Sequence, residues 1–359
     1  MKTTPSPTAS MLRQTDSERA EPSGTMAAAV YRRFGSPDVV RIETVARPTP
    51  GEDEILIRVE ASTVSIADHR ARSRSVPKGL GLLAAFGLGF FRPRHRILGM
   101  DAAGVVAAVG SRVTRFAPGD EVITMLGAHW GGHGEYVCVN QDAAVTAKPR
   151  NMTFEEAVAL VFGGMTARIF LNRADIRPGD RVLVNGASGA VGTAAVQLAK
   201  HLGAHVTGVC SGGKADLVAS LGADRVIDYN TEDFAADPAT YDVIVDCAGT
   251  ATFTRVDASL RPGGALLMVV TDLAGMIRAG SRTRKSGKLV TYSGGPNQAE
   301  DLAYLVDLAE SGRFRPVIDR TFDLEDIAEA HRYVDAGHKT GNVVLRVSSS
   351  ARRRTAAME

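Results

Sequence analysis

The sequence predicts an α/β protein in which a doubly wound parallel-sheet domain sits between two parts of a smaller β-barrel domain. Three observations carry this. Residues 181–202 read as strand, glycine turn and helix. From Phe154 to Tyr292, apolar runs of strand length alternate with stretches of helical period, the pattern of a parallel sheet with crossover helices. From Met26 to Lys148, short strand patterns are separated by frequent turns, the pattern of a small barrel.

The stretch 181–202 carries the chemistry. Val182, Leu183 and Val184 form a short apolar run suited to a strand buried on both faces. From Val191, apolar residues recur with helical spacing through Ala194, Ala195, Leu198, Ala199 and Leu202. Gly203 follows, where a helix C-terminus favours glycine. In a G-x-G-x-x-G reading, Gly189 and Gly192 fill the second and third places and Ala187 the first. A pyrophosphate would rest on the helix N-terminus, where unpaired N–H groups and the helix dipole favour an anion. Gly189 would let the backbone approach the phosphate, and Gly192 would let the helix pack on the strand. The candidate cradle is therefore Ala187, Ser188, Gly189, Ala190 and Val191. A tight strand-to-helix turn with no ligand is the competing reading.

A length of 359 residues suits two domains. A hydrophobic fraction of 44% and a charged fraction of 23% are ordinary for a globular chain. The net charge of +2 gives no reason to expect a nucleic-acid partner or stable membrane insertion. Cys138, Cys210 and Cys247 are far apart and make no C-x-x-C pair, which suits a reducing compartment, taken as the cytoplasm. Residues 1–25 are rich in Pro, Ser and Thr and have no signal-peptide core, and Asp16, Glu18 and Glu21 argue against a transit peptide. They are expected to be a disordered tail, with Met26 as a candidate initiator. Residues 348–359 are expected to be a second tail, Arg352 to Arg354 being a solvated charge run.

Taken in order, residues 26–150 form the first part of the barrel domain. Strands are expected at Ala28–Tyr31, Val39–Ile42, Glu54–Val64, Gly104–Val109, Glu121–Ile123 and Tyr136–Val139. Leu80–Phe91 (LGLLAAFGLGFF) is too short to span a bilayer, which needs roughly 20 residues. It reads as an apolar lid over a pocket or as a segment packed on the core, with membrane contact a third option. Residues 151–292 form the parallel-sheet domain. A helix at Phe154–Ala174 precedes the glycine turn; strands follow at His205–Cys210, Val226–Asp228, Asp242–Asp246, Ala265–Val270 and Leu289–Tyr292. A helix at Lys214–Leu221 ends at Gly222, and Arg261-Pro262-Gly263-Gly264 reads as a turn. Residues 293–347 return to the barrel: a helix at Ala299–Glu310, a strand at Val317–Thr321, a helix from Leu324 to Ala336 capped by Asp323, and a strand at Val343–Val347.

The dinucleotide is read from the end of the second parallel strand. An acid there would bind the ribose 2′-OH of NAD. The strand instead runs into Cys210-Ser211-Gly212-Gly213-Lys214, a hydroxyl and an ammonium without a carboxylate. A charge-assisted contact to a 2′-phosphate contributes about 1.5–3 kcal/mol, so the reading is NADP(H), with Ser211 and Lys214 as its contacts. Alternatively, Lys214 simply begins an exposed helix.

With these stretches in place, the chain resembles the medium-chain dehydrogenase/reductase superfamily, in its zinc-independent quinone oxidoreductase-like branch. The resemblance rests on AAVYRRFGSPDVVRIETVARPTPGEDEILIRVEAS, LGMDAAGVVAAVGSRVTRFAPGDEV, GGMTA, NGASGAVGTAAVQLAKHLGA, GADRVIDY and GHKTGNVVLRV, from Met26 to Val347. It implies a GroES-like barrel joined to a Rossmann domain, with the active site in the cleft between them. Where relatives carry catalytic zinc ligands, this sequence has Ser65, Met100 and no cysteine near Gly163-Gly164, so no metal is expected. His129 and His133 lie in a glycine-rich stretch that would not align them.

By the same resemblance, Ser65 and Asp68 would lie by the nicotinamide and the substrate, and Ser65 could donate to a substrate carbonyl. Relatives usually have asparagine at the Ser65 position, and Asp68 could equally cap a turn. Thr166 would lie near the ribose, Val269, Val270 and Thr271 near the carboxamide, and Cys247 in the same crevice. Tyr229 would pack at the adenosine phosphate, and Asn342 would reach the cofactor from the returning segment. The implied activity is zinc-independent hydride transfer from NADPH to a small-molecule quinone or α,β-unsaturated carbonyl. The alternatives are an NAD(P)-dependent alcohol or aldehyde dehydrogenase, and a non-catalytic NADPH-binding redox sensor or interaction protein. Pairing into a homodimer is expected through Leu289–Tyr292.

Overall fold

The protein is described from a computed structural model over residues 24–236 and 238–348. The expected N-terminal and C-terminal tails fall almost wholly outside the described residues. The barrel side opens with β1 (Thr25–Tyr31) paired antiparallel to β2 (Val40–Ala46). There follow β3 (Glu54–Thr63), α1 (Ile66–Ser73), α2 (Gly81–Leu88), β4 (Asp101–Val109), β5 (Glu121–Met125), β6 (Tyr136–Asn140) and β7 (Val145–Ala147). Ile55, Leu56 and Ile57 on β3 are all buried, where alternation predicts one wet face. The reason is that β3 is central: it pairs with both β4 and β6 and, at its end, with the C-terminal strand.

The helix α3 (Phe154–Leu171) joins the two sheets. A capping box of Thr153 and Glu156 starts it. Both faces are apolar and buried, because one side packs on the barrel strands and the other on the helices of the parallel sheet. Gly163 makes this possible: a Cβ there would lie 2.5 Å from the Ala190 carbonyl oxygen.

Next come β8 (Arg181–Asn185), α4 (Ala190–His201), β9 (His205–Cys210), α5 (Ala215–Ser220) and β10 (Arg225–Asp228). They are followed by β11 (Tyr241–Asp246), α6 (Phe253–Val256), β12 (Leu260–Met268), α7 (Leu273–Ser286) and β13 (Leu289–Thr291). These six strands form one parallel sheet in the order β10-β9-β8-β11-β12-β13. The chain then returns through α8 (Ala299–Glu310), β14 (Ile318–Asp323), α9 (Ile327–Asp335) and β15 (Asn342–Arg346), and β15 closes onto β3.

Four local expectations change. Arg261–Gly264 lies inside β12 rather than forming a turn before it, and the register against β11 shifts there. The helix expected from Lys214 begins at Ala215, after a 3₁₀ turn at Gly212–Lys214. The last helix is split into a 3₁₀ turn at Leu324–Asp326 and α9, and the Asp323 side chain makes no capping hydrogen bond to it. The helix α7 was not foreseen: its sequence is mostly basic and small, and only Ala279 is buried.

Candidate functional site

The glycine turn places its cradle at the point where strand order reverses, between β8 and β11, the usual ligand crevice of such sheets. Gly189 is the N-cap of α4 in an extended conformation. The next N–H groups, of Ala190, Val191 and Gly192, begin a twelve-residue helix and have no intrahelical acceptor. A Cβ on Gly189 would meet nothing closer than 3.6 Å, so that face is open. A Cβ on Gly192 would lie 2.1 Å from the Gly186 carbonyl oxygen, so helix and turn touch there. Ala187 is fully buried under the turn, while Ser188, Gly189 and Val191 are partly open. The arrangement fits a pyrophosphate: donors and dipole on one side, and space for the anion on the other.

The floor of the crevice is a polar tie that sequence reasoning missed. Asn185 Nδ2 donates to Asp246 Oδ1 at 2.7 Å and to Thr250 Oγ1 at 2.8 Å. Asp246 also accepts from the N–H groups of Ala248, Gly249 and Ala251. The carboxylate thus shapes the loop that carries Cys247, although burial raises its pKa. Burial, reinforced by the Asp246 charge, also pushes the Cys247 thiol well above its ordinary value, which disfavours the thiolate. Val269 and Val270 donate their N–H groups to the Asp246 carbonyl, which sets the next loop beside the same crevice. Thr271 ends that loop; its hydroxyl lies where a Cβ on Gly275 would fall, at the start of α7. Thr166 lies one turn beyond Gly163 and donates to the Phe162 carbonyl at 2.7 Å, which leaves its oxygen free to accept.

At the end of β9, Ser211 precedes the 3₁₀ turn and Tyr229 is largely exposed nearby, its N–H bonded to the Cys210 carbonyl. Lys214 Nζ donates to the carbonyls of His338 at 2.7 Å and Lys339 at 3.3 Å, leaving one of its three donors. Lys339 is a second, unforeseen cation. Its Nζ donates to the Gly341 carbonyl at 2.6 Å. Gly341 in turn donates to the Ser188 carbonyl and forms a bridge with Gly189. Burial chiefly, and then Lys214, lower the Lys339 pKa to about 8, with Asp319 opposing. The sequence signal was a lysine two residues before a glycine in the returning segment. An acid is also present: a Cβ on Gly212 would lie 2.5 Å from Asp228 Oδ2, so the Asp228 carboxylate lies against this turn. Its other oxygen is held by the N–H and amide of Asn230.

Three of the residues expected to face cofactor or substrate are engaged within the protein. Ser65 caps α1: its hydroxyl accepts from the N–H groups of Ala67 and Asp68 and donates to Asp68 Oδ2 at 2.6 Å. With that proton engaged, Ser65 is not a donor toward a substrate carbonyl in this arrangement. Asp68 is fully buried and accepts from Ser65 N and from Gly99 N at 2.8 Å, so it clamps α1 to the segment before β4. Asn342 is 5% exposed, and its amide donates to the carbonyls of Ala159 and Val317, tying α3 to the returning segment rather than reaching outward. Beside them, Asp101 accepts from Thr63 N, Thr63 Oγ1 and Ser62 Oγ, and burial raises its pKa to about 7. Among the described residues, no three His, Cys, Asp or Glu side chains group as metal ligands.

Comparison with known proteins follows this geometry. An alcohol dehydrogenase GroES-like domain family matches residues 51–150, and a zinc-binding dehydrogenase family matches residues 221–345. The chain is 33% identical to a 2-methylene-furan-3-one reductase of Solanum lycopersicum, over 89% of this chain and 79% of that one. It is 31% identical to an NADPH-dependent alkenal/one oxidoreductase, chloroplastic, of Arabidopsis thaliana, over the same shares of 89% and 79%. Its fold is similar to the structure of the quinone oxidoreductase from Coxiella burnetii, with a TM-score of 0.80 and 29% identity, covering 90% of this chain and 99% of that one.

Proposed function

The chain belongs to the medium-chain dehydrogenase/reductase superfamily, in its quinone oxidoreductase-like branch, and is an oxidoreductase that uses a nicotinamide cofactor; from that premise we propose that it transfers hydride from NADPH to a quinone or to the C=C bond of an α,β-unsaturated carbonyl compound, without zinc. The observation that carries the cofactor reading is the pair of ammonium groups, Lys214 and Lys339, beside the glycine cradle, where β9 ends without an acid and the Asp228 carboxylate of β10 lies against the same turn.

The cofactor would lie across the cradle of Ala187 to Val191, its 2′-phosphate toward Ser211, Lys214 and Tyr229. When bound, it supplies the hydride. The residues of this chain supply position. Backbone N–H groups at the start of α4 receive the pyrophosphate, and the Asn185–Asp246 tie keeps the crevice floor from shifting. The zinc-free reading is supported by residue chemistry. Ser65 and Asp68 are engaged with each other, and Met100 is a poor ligand for zinc. An acceptor that is already electron-poor needs no Lewis acid. The reading keeps the protein in the cytoplasm, although several relatives carry "chloroplastic" in their names. It also includes a homodimer, joined through β13, one of the two edge strands of the parallel sheet.

The test is oxidation of NADPH and NADH with a panel of quinones, enones and aldehydes, with and without a chelator. The expected result is NADPH oxidation by quinones or enones at a rate the chelator leaves unchanged. Turnover of alcohols or aldehydes that the chelator abolishes would overturn it, and cofactor binding without any turnover would favour a binding protein.

A further inference from the structure

The helix α2, Gly81–Leu88, has the sequence GLLAAFGL, apolar on every side. Such a helix is normally buried, yet here only Ala85 is. Leu82, Leu83, Phe86, Phe90 and Phe91 are five of the ten large apolar side chains exposed among the described residues; Phe91 is 94% exposed and Phe86 64%. They fall within ten residues of chain, on α2 and just after it. Phe86 and Phe90 rings meet edge-on at 5.0 Å, and Arg74 ties the segment down by donating to the Phe90 carbonyl at 2.7 Å. The patch continues onto α7. Leu273 N donates to the Lys78 carbonyl, and a Cβ on Gly79 would lie 2.8 Å from Leu273 Cβ. One turn along the same face, Ile277 is 72% exposed.

The charge around this patch is mostly positive, with Asp272, Asp38 and Glu43 as the acids near it. The chain as a whole is balanced, with 42 Lys and Arg against 40 Asp and Glu. Residues 69–97, however, hold seven Lys or Arg and no acid, and residues 273–292 hold five and no acid. Of these, Lys78, Arg92, Arg94, Arg96, Arg278 and Arg284 are exposed. Beside Phe91 lies a groove of about 580 Å³ that also contains Arg33, Arg41 and Arg92. Its two acids are already engaged, Glu43 with Arg32 and Asp38 with Arg332. Arg33, Arg41 and Arg92 make no ion pair among the described residues.

We infer that this face docks on an anionic lipid bilayer surface. Leu82, Leu83, Phe86 and Phe91 enter the headgroup and acyl boundary, and the surrounding arginines face anionic headgroups. Aromatic and aliphatic side chains ringed by cations are the composition that binds at such an interface. No helix among the described residues is long and apolar enough to cross a membrane, so the contact is peripheral. A protein partner or a second copy would have to bring acidic groups to the rim as well as an apolar centre. A bilayer rich in anionic lipid brings both without a shaped complement. The inference is independent of the cofactor and substrate.

The experiment is flotation of the full chain with vesicles of phosphatidylcholine mixed with phosphatidylserine, and with vesicles of phosphatidylcholine alone. Binding is expected only to the mixed vesicles and is lost in 1 M salt, where the Debye length is about 3 Å. Two variants are compared, Phe86→Ser with Phe91→Ser, and Arg92→Glu with Arg94→Glu. Each is expected to weaken vesicle binding by on the order of tenfold or more. Both change exposed side chains, and an unchanged thermal melt identifies folded protein. Equal binding to both vesicle types, or none, overturns the inference. So does loss of self-association in Phe86→Ser with Phe91→Ser without vesicle binding, which gives the face to a second copy. A raised KM for a water-soluble quinone in that variant, again without vesicle binding, gives it to the substrate pocket.

Discussion

Lys214 and Lys339 come to the glycine cradle from parts of the chain 125 residues apart; Lys214 is anchored on the His338 and Lys339 carbonyls, and Lys339 on the Gly341 carbonyl. Burial first, and then the like charge of Lys214, depress the Lys339 pKa, with Asp319 opposing, so an anion bound beside the two would favour the charged form. Replacing Lys214 by Asp is expected to weaken NADPH by tenfold or more, since one charge-assisted contact contributes about 1.5–3 kcal/mol, and to leave NADH little changed. Titration of both cofactors by fluorescence reads this directly; equal losses would remove the 2′-phosphate from Lys214. Lys214 was visible in the sequence because it follows a strand end without an acid. Lys339 was not, because its place beside Gly189 depends on the Gly189–Gly341 bridge. Asp228 was missed for the same kind of reason, coming to the turn from the neighbouring strand β10.

At the scale of elements, the β8–α4 unit works by contact between backbone atoms. Gly192→Ala would put a methyl group 2.1 Å from the Gly186 carbonyl oxygen, with backbone on both sides and no flexible side chain to yield. The expected cost is about 1–3 kcal/mol of stability, seen as a lower melting temperature, together with weaker dinucleotide binding as α4 is pushed from the turn. Gly189→Ala meets open space and is expected to leave the melt nearly unchanged while weakening the cofactor. A reversed order of effects would show that the two glycines had exchanged roles. Helix α1 shows what a motif cannot say by itself. Asp68 reads equally well as a turn cap or as a site residue, and the 2.6 Å bond from Ser65 together with the Gly99 contact favours the cap. The choice lay in the distance between two side chains, which spacing along a sequence does not contain.

Across the whole molecule, α9 is packed against α1, β14 and β15, and buries His331 beside His133, with ring centroids 6.0 Å apart. Neither ring nitrogen of His331 has a hydrogen-bond partner among the described residues. Burial first, then the nearby His133, Arg72 and His69, hold its pKa well below the ordinary 6.5. The neutral form is therefore the folded one, and the unfolded chain binds a proton first as pH falls. Stability is expected to decline as pH drops below about 6.5. Asp101 acts in the opposite direction: its raised pKa makes stability fall as pH rises from about 4 to about 7. Asp101→Asn is expected to remove that second slope and His331→Phe the first, both read from denaturant midpoints across this range. Since the two slopes oppose each other, the wild-type curve is expected to be flatter than that of either variant.

The fold class, the glycine cradle, the succession of the six parallel strands along the chain and the lack of an acid after β9 follow from local properties of the sequence: periodicity, turn residues and charge at a strand end. Those properties act over a few residues, so they are legible one residue after another. The second lysine, the Asn185–Asp246 tie, the inward turn of Asn342 and the exposure of α2 belong to the tertiary structure. Each depends on which distant segments meet. An apolar octet such as GLLAAFGL has the same composition whether it is covered or bare, and only packing against the rest of the chain decides which.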